Sequence, residues 1–420
     1  MRKMRNSGIE WIGQIPTNWD VVPHKRVMHK VKEICEQYNG EDIISLTMNG
    51  VIKRDLTAGG KMPTSFDGYQ YVKPNDLLLC LFDIDVTPRC VGVVKDYGVT
   101  SPAYSRFIIH DGYYNAYYDY LLRAIDDDKV FVHLSKNLRS SLTENDFGAI
   151  KTCVPPLAEQ ERIAAFLDAE CAEIDAVLEK IRASIEEYKK LKQAVITQAV
   201  TKGIRGDRPM KDSGIEWIGD IPAEWDVIRN AFLYKEKSRL PEENAVSLSL
   251  SQVDGLIATD DMKERSLKTS TYDGWKQVRT NDLVLNRFKG HLGVLFAANI
   301  EGMVSFHYGV YEPLRQFDSK FFEYLYHSDA YKAILGLKSN GMTIGLQNLS
   351  NQNFYSVYSL YPPEEEQQEI IQYLDDKCSS IDALVVQKQE HLTEIENYKK
   401  SLIYEYVTGK KEVKTSVLAD

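Results

Sequence analysis

The 420-residue sequence lacks the features of membrane and disulfide-bonded secreted proteins. No apolar run approaches the roughly 18 residues that a membrane span requires, and the first residues, MRKMRNSGIEW, contain no apolar signal-peptide core. The six cysteines include no C-x-x-C pair, and two of them lie in a predicted helix seam, where a free thiol acts as a small hydrophobic group. We therefore expect reduced cysteines and a cytoplasmic protein.

Recognisable catalytic motifs are also missing. The sequence contains no G-x-G-x-x-G after a strand, no G-x-x-x-x-G-K-[ST] phosphate loop, no H-E-x-x-H and no Asn-Pro-Pro-Tyr-like tetrapeptide of amino-methyltransferases. The eight histidines show no ligand spacing. Asp83 and Asp85 come nearest to a hydrolytic carboxylate pair, but residues at i and i+2 commonly just flank a loop. We predict no catalytic residues, no bound metal and no cofactor held by this chain.

Two long segments without internal proline or glycine dominate the sequence. One reads LAEQERIAAFLDAECAEIDAVLEKIRASIEEYKKLKQAV from residue 157, and the other reads EEEQQEIIQYLDDKCSSIDALVVQKQEHLTEIENYKKSLIYEYV from residue 364. Their apolar residues alternate at spacings of three and four, which is the a/d pattern of a coiled coil. The predicted seam consists of Leu167, Cys171, Ile174, Leu178, Ile181, Ile185, Leu374, Cys378, Ile381, Val385, Leu392 and Ile395.

Each segment predicts one helix, over residues 157–200 and 364–407, about 66 Å long at ~1.5 Å per residue. An a/d seam requires a partner helix, and two copies in one chain can pair with each other. Lys388 interrupts the second seam, and its stem can bend away from the seam towards solvent. We expect Gly203 to end the first helix in a left-handed conformation.

A second repeated block shows that the chain is an internal duplication. SGIEWIGQIPTNWDVV begins at Ser7, and SGIEWIGDIPAEWDVI begins at Ser213. We interpret the tryptophans of these blocks as structural anchors. Strand-like runs such as 76–82 and 105–109 and a helical run at 113–126 follow the first block. We predict mixed α/β lobes at 1–156 and 207–363, a linker at 201–206 and a tail at 408–420.

The net charge of −10 is unevenly distributed. Residues 157–200 hold 9 acidic and 6 basic side chains, and residues 364–407 hold 11 and 4, so the two predicted helices account for the whole excess. The remaining segments are almost balanced, and a balanced lobe can still concentrate basic residues on one face. The acidic composition therefore does not exclude DNA as a ligand.

Basic, amide and aromatic residues in turn-rich segments of both lobes are candidates for DNA contacts. Such side chains read base edges and hold phosphates. Taken singly, each is also compatible with an ordinary solvated loop. The candidates are Lys53, Arg54, Lys61, Tyr69, Arg89, Arg106, Lys136, Asn137 and Arg139 in the first lobe, and Lys268, Trp275, Arg287, Lys289, His291, Lys338 and Asn340 in the second.

The two PP-x-x-E-Q…D…ID…V-T-[KG] helices and the two SGIEWIG-x-IP-x-x-W blocks closely resemble the specificity subunit of type I restriction–modification enzymes. The resemblance covers the whole sequence. It implies two target recognition domains, each of which reads one half of a bipartite, asymmetric double-stranded DNA sequence. It also implies that the helices pair antiparallel as a coiled coil and set the length of the unspecified spacer.

The resemblance further implies a hetero-oligomer. Two modification subunits, which bind S-adenosylmethionine and methylate adenine, would dock on the helices and the repeated blocks. Restriction subunits with ATP- and Mg²⁺-dependent translocase and nuclease activity would join them.

Other functions stay open at this point. A coiled-coil scaffold whose lobes bind proteins would show no sequence-selective DNA binding. An enzyme in its own right, such as a nuclease, would act as the purified chain. A specificity subunit of an orphan methylation complex would lack a nuclease partner.

Overall fold

The computed structural model describes residues 2–48, 50–57, 63–87, 89–135, 140–252, 254–262, 272–339 and 348–414. The chain divides into two compact units. Unit 1 is Met1–Arg182 with Glu390–Asp420, and unit 2 is Ala183–Gln389. We call residues 2–154 lobe 1 and residues 208–361 lobe 2. Each unit contains one lobe and part of both long helices.

Lobe 1 is a mixed α/β structure. Its helices are α1 (Asn115–Asp127), α2 (Val130–Leu134) and α3 (Glu144–Ala149). Its strands are β1 (Met4–Asn6), β2 (Gln14–Pro16), β3 (Asp20–Pro23), β4 (Met28–Val31), β5 (Ile44–Thr47), β6 (Gly50–Lys53), β7 (Gln70–Val72), β8 (Leu77–Leu79), β9 (Val91–Val93), β10 (Gly98–Thr100), β11 (Ser105–Ile109) and β12 (Lys151–Val154).

Long-range antiparallel pairing organises these strands. The central sheet has the order β4-β11-β8-β9, and Leu77 and Leu79 of β8 share a core cluster with the buried residues of α1. The outer pairs are β1 with β2, β3 with β12, β5 with β6 and β7 with β10. The pairing of β3 with β12 brings the two ends of the lobe together, beside the start of the first long helix.

Lobe 2 has the same topology. Its helices are α5 (Ser319–His327), α6 (Asp329–Leu337) and α7 (Asn351–Tyr355). Its strands are β13 (Met210–Asp212), β14 (Asp220–Pro222), β15 (Asp226–Arg229), β16 (Tyr234–Glu236), β17 (Leu248–Ser251), β18 (Gly255–Ala258), β19 (Lys276–Val278), β20 (Leu283–Asn286), β21 (Leu295–Ala297), β22 (Gly302–Val304), β23 (Tyr308–Pro313) and β24 (Tyr358–Tyr361). The central sheet has the order β16-β23-β20-β21, and β15 pairs with β24.

The Asn-Asp dipeptide shared by the two halves forms the turn before the inner strand of each sheet. Asn75 and Asn281 adopt left-handed conformations, with φ of 74° and 70°. The following aspartate closes the turn, since Asp76 accepts a hydrogen bond from the amide of Lys73 at 2.6 Å and Asp282 one from Arg279 at 2.8 Å. Asparagine tolerates this backbone region better than most residues, so the dipeptide fixes the entry of β8 and β20.

The two long segments are continuous helices, as the sequence predicts. Helix α4 spans Leu157–Lys202 and α8 spans Glu364–Val407. Helix α4 extends two residues beyond the predicted end and is followed by Gly203, whose φ is +75°. This is the predicted left-handed terminus, and it confirms the role of that glycine. No helix among the described residues combines the length and apolarity needed to cross a bilayer.

The helices run antiparallel in each unit. In unit 1, Asp175 and Arg182 of α4 form ion pairs with Lys399 (2.6 Å) and Glu396 (2.8 Å) of α8. Residue numbers therefore rise along one helix as they fall along the other. Ion pairs at a protein surface contribute little stability. Their value here is that they show how the two helices are aligned.

Unit 2 contains the same arrangement of the helices. Lys192 pairs with Asp382 at 2.6 Å, and the ammonium of Lys388 lies 5.5 Å from the centre of the Tyr188 ring. The lysine that interrupts the seam thus makes a cation–π contact instead of being buried. The twelve seam residues that the sequence predicts are buried or half-buried in their respective units.

The first repeated block fixes lobe 1 to the start of α4. Trp19 is fully buried, and its indole N–H donates to Glu159 Oε2 at 3.1 Å. The guanidinium of Arg2 lies 5.4 Å from the indole centre and 2.5 Å from the other oxygen of Glu159. The α1 residue Tyr120 adds a hydrogen bond to Asp168 at 2.7 Å.

Lobe 2 repeats these contacts at the start of α8. Trp225 donates to Glu366 at 2.8 Å, Arg208 forms an ion pair with the same carboxylate at 2.6 Å, and Tyr324 donates to Asp375 at 2.5 Å. The interpretation of Trp19 and Trp225 as structural anchors is therefore confirmed.

The last turn of α8 and the residues that follow it also contact lobe 1. Tyr117 of α1 donates its hydroxyl proton to the carbonyl of Val407 at 2.8 Å, and Tyr404 donates to the carbonyl of Trp11 at 2.8 Å. Lys410 donates to the carbonyl of Ile12 at 2.6 Å. Lobe 1 therefore rests on the start of α4 and the end of α8.

We predict that Tyr117→Phe destabilises unit 1 by about 1 kcal/mol, because the buried carbonyl of Val407 loses its hydroxyl donor and keeps only the weaker thiol donor of Cys153 at 3.5 Å. Tyr118→Phe is the matched control: Tyr118 is also fully buried, and its hydroxyl has no hydrogen-bond partner among the described residues. We expect the control to be neutral or stabilising. Thermal unfolding, with hydrogen exchange of the last turn of α8, measures both. Equal effects of the two substitutions would contradict this packing.

Candidate nucleic-acid interface

One end of the central sheet in each lobe is where several of the predicted contact loops leave the lobe. In lobe 1, the amide of Leu142 donates to the carbonyl of Leu81 at 2.8 Å, and that of Ile84 to the carbonyl of Ser140 at 3.1 Å. The described chain that follows the predicted contact residues 136–139, from Ser140 to Leu142, therefore lies beside the turn that follows β8. We call a set of aromatic residues in each lobe, one of which lies on this turn, the ridge; in lobe 1 they are Phe66, Tyr69, Phe82 and Tyr104, with Phe82 on the turn.

In lobe 2 the same geometry recurs around the turn that follows β20. The amide of Leu349 donates to the carbonyl of Arg287 at 2.9 Å, so the described chain that follows the predicted contacts Lys338 and Asn340 also lies beside this turn. The ridge of lobe 2 consists of Tyr272, Trp275, Phe288, Phe306 and His307.

The lobe 1 ridge contains two pairs of contacting rings. Phe66 and Tyr69 meet edge to face at 5.3 Å between ring centres, and Phe82 and Tyr104 lie 6.4 Å apart. Burial raises the pKa of the Tyr104 hydroxyl, and the charge of Arg54 partly opposes this rise. Phe82 keeps 38% of its surface exposed. Phe82 is thus exposed to solvent while it packs against the partly buried ring of Tyr104.

The lobe 2 ridge has the corresponding contacts. Tyr272 and Trp275 meet edge to face at 5.0 Å, which repeats the Phe66–Tyr69 pair 206 residues earlier. The ring centre of His307 lies 3.9 Å from that of Phe306 and 5.6 Å from that of Phe288. Phe306 is 55% exposed and Phe288 45% exposed.

Three of the predicted lysines are exposed. Lys53 pairs with the half-buried Asp42 at 2.6 Å, an interaction that a phosphate can replace at little cost. Lys289 directly follows Phe288 on the ridge turn, and Lys338 directly follows α6. Lys289 therefore lies where a ligand on the lobe 2 ridge would meet a cation.

Arg106 lies inside lobe 1 rather than on the ridge. It is 2% exposed, its Nε lies 2.6 Å from Asp76, and one terminal nitrogen lies 3.3 Å from Glu33 and 3.0 Å from the carbonyl of Tyr71. Because its guanidinium already balances a buried carboxylate, it holds the β8 turn to β11. We leave Arg106 out of the candidate interface.

Other predicted arginines are also engaged by the protein. Arg287 is half-buried, with one terminal nitrogen bonded to Glu236 and, at 2.9 Å, to Asn351. Arg89 donates to the carbonyl of Val91 at 2.8 Å, and burial lowers its pKa.

Of the remaining candidates, three are fully described by the structure, one is described for its backbone only, and six lie outside the described residues. Arg54 is half-buried beside β6, and Tyr69 and Trp275 are half-buried members of the ridges. His291 belongs to the 3-10 helix Arg287–Leu292, and its side chain lies outside the described part of the structure. The candidates that lie wholly outside the described residues are Lys61, Lys136, Asn137, Arg139, Lys268 and Asn340.

Sequence reasoning missed Phe82 and Phe306, and it took Arg287, Lys289 and His291 as contacts without Phe288 between them. The available signal was the spacing, since Phe82 and Phe288 are 206 residues apart, the same offset as the repeated blocks, within a stretch that otherwise diverges. Exposed aromatic rings can stack on nucleobases, and lysine or arginine side chains near them can bind phosphates. Within the described ranges, no group of three or more histidine, cysteine or acidic side chains is placed to hold a metal ion.

No protein-family model matches the sequence. Two curated relatives come from Methanocaldococcus jannaschii. The putative type I restriction enzyme MjaX specificity subunit is 24% identical over 241 residues, which are 52% of this chain and 53% of that protein. The type I restriction enzyme MjaVIII specificity subunit is 25% identical over 287 residues, which are 64% of each chain. The chain thus spans about half to two thirds of the length of these relatives.

A solved chain from work on the assembly and conformational transition of a type I restriction–modification system has the same fold. Its TM-score is 0.65, at 14% identity, over 94% of this chain and 99% of that one. The names of the curated relatives confirm the resemblance to type I specificity subunits that the sequence motifs predict. The shared fold confirms mixed α/β lobes with long helices.

We predict opposite effects for two of the basic candidates. Lys289→Gln should leave the melting temperature unchanged, weaken DNA binding and reduce the slope of log K against log salt by about 0.9, the value for one lost phosphate contact. Arg106→Gln should destabilise lobe 1 by about 3–5 kcal/mol, because it leaves the buried Asp76 unpaired. Thermal unfolding and salt titrations of DNA binding measure both. A destabilised Lys289→Gln, or a fully stable Arg106→Gln, would contradict the assignment.

Proposed function

We propose that this chain is the non-catalytic DNA-recognition subunit of a type I restriction–modification complex, and that each lobe reads one half of a bipartite target through its ridge and the adjoining loops. The observation that carries the proposal is the duplicated frame with unlike ridges. The two lobes share a strand order and the Trp–Glu anchor. However, Asp83 follows the ridge phenylalanine in lobe 1 and Lys289 follows it in lobe 2.

The unlike ridges favour an asymmetric target. A carboxylate accepts a hydrogen bond from the amino group of cytosine, whereas a lysine donates to guanine or to phosphate. Two lobes with one frame and different contact residues would therefore select different base sequences. The exposed Lys53, Lys289 and Lys338 and the predicted loop residues supply the contacts in this proposal.

The proposal assigns the chemistry to partner subunits. Two modification subunits would hold S-adenosylmethionine, and restriction subunits would use ATP and Mg²⁺. Their docking surface would include the exposed faces of α4 and α8, which carry the apolar residues Val177, Leu191, Leu384, Val386 and Tyr398. The name shared by the curated relatives, specificity subunit, supports this division of labour.

Sequencing of DNA methylation tests the proposed function. Cells that express this chain with the neighbouring methyltransferase gene should contain methylated adenines in one motif, made of two different short blocks around a fixed run of unspecified bases. The same cells without this chain are the control. A complex that assembles but methylates no defined motif would contradict DNA recognition and favour a protein-binding scaffold. A complex that methylates and never cleaves would be an orphan methylation system.

The spacer prediction uses the paired helices. Insertion of one heptad in register into both α4 and α8 adds about 10 Å of helix, so the unspecified spacer should grow by roughly three base pairs while both blocks stay the same. The control is a single-residue insertion in both helices, which breaks the a/d register and should prevent pairing. A methylated motif with an unchanged spacer in the heptad variant would contradict the role of the helices in setting spacing.

A further inference from the structure

Phe82 and Phe288 occupy equivalent positions in the two lobes. Each follows an inner strand of the central sheet, β8 or β20, and the two lie 206 residues apart. The backbone carbonyl just before each phenylalanine accepts a hydrogen bond from the residue that returns from a predicted contact loop, Leu142 at 2.8 Å and Leu349 at 2.9 Å. The equivalence therefore rests on the backbone as well as on the sequence spacing.

Both rings are exposed at the ridge. A single exposed phenylalanine is ordinary on a protein surface and needs no explanation. Here, the same residue is exposed at the same position in two lobes whose surroundings have diverged. Each ring also packs against one aromatic neighbour, Tyr104 in lobe 1 and His307 in lobe 2, which holds it at the ridge.

The residues next to the two phenylalanines differ in charge. Asp83 follows Phe82 and Lys289 follows Phe288, and the preceding residues are Leu81 and Arg287. Neighbours that differ in this way suit lobes that select different bases. A residue that is identical in both lobes suits a contact that every base can make, and the common feature of all four bases is the flat π-face.

We infer that Phe82 and Phe288 each wedge against a base step in the half-site bound by their own lobe, and that each stacks on a partly unstacked base. This inference rests on the proposed function and adds a sequence-independent contact to it. Phenylalanine is among the side chains that enter base steps as wedges, and base–aromatic stacking tolerates any sequence. The ring would hold the duplex while the neighbouring charged residues and loops read base edges.

Binding of the complete complex to the methylated motif provides the test. Phe82→Ala and Phe288→Ala should each weaken binding by about 5- to 150-fold, the range for loss of one base–aromatic contact. Phe82→Trp and Phe288→Trp should retain near-normal binding, because they keep an aromatic face. Phe232→Ala is the matched control: Phe232 is 60% exposed, is replaced by Arg26 in lobe 1, and lies where β16 pairs with the end of β23 that is remote from the ridge.

Abasic sites placed one at a time through both half-sites locate the contact. If the ring stacks on a base, removal of that base and removal of the ring should be strongly non-additive at one step only. That step should lie in one half-site for Phe82→Ala and in the other for Phe288→Ala. A role in stability alone would give losses that add equally at every position.

The outcomes separate the two claims. A wild-type complex that neither binds nor methylates a bipartite motif overturns the proposed function. If the wild-type complex does both, two results overturn the stacking inference and leave the proposed function in place. One is an effect of either alanine substitution within about twofold of the Phe232→Ala control. The other is additivity at every abasic position.

Discussion

Each lobe depends on one buried hydrogen bond between an indole N–H and a glutamate in the first turn of a long helix. In lobe 1 the bond joins Trp19 to Glu159 at 3.1 Å, and in lobe 2 it joins Trp225 to Glu366 at 2.8 Å. A carboxylate is favourable at a helix N-terminus because it faces the positive end of the helix dipole. The adjacent arginine neutralises its remaining charge, so the carboxylate can be buried. This contact fixes the repeated block, and with it the rest of the lobe, to its own helix.

The structure separates a constant frame from variable contact surfaces. Strand order, the Asn-Asp turns, the Trp–Glu anchor and the tyrosine–aspartate bond between lobe and helix recur in both units. The residues on the ridge turns and the loops beside them differ. The contacts that stabilise the frame do not involve the ridge. Substitutions of exposed ridge residues therefore cost little stability, and these residues can differ between the lobes. In our account, this separation is the physical basis for two unlike half-sites in one target.

The long helices were the easiest part of the fold to predict. Their a/d spacing extends over many turns without proline or glycine, and a signal of that length is unambiguous. Strands β8 and β11 were also recognisable as short apolar runs. The pairing of β3 with β12 and the contact of Tyr117 with Val407 were not, because they join residues far apart in the chain and leave no local pattern.

The candidate interface was harder to predict because charge alone does not show what a side chain faces. Arg106 and Lys289 look alike in the sequence, yet Arg106 is buried against Asp76 and Lys289 is exposed beside Phe288. The identity of a lysine or arginine says nothing about a carboxylate that folding brings next to it. Phe82 was missed for the converse reason: an apolar residue after an apolar strand looks like part of the core.

Photo-crosslinking tests the central claim most directly. A benzoylphenylalanine placed at Lys53 or at Lys289 reports the nucleotide that lies beside each lobe when the complete complex binds its methylated motif. Our account predicts that the two positions crosslink to opposite blocks of the motif, with the unspecified bases between them. Crosslinks from both positions to the same block, or the absence of DNA crosslinks from a complex that methylates normally, would contradict it.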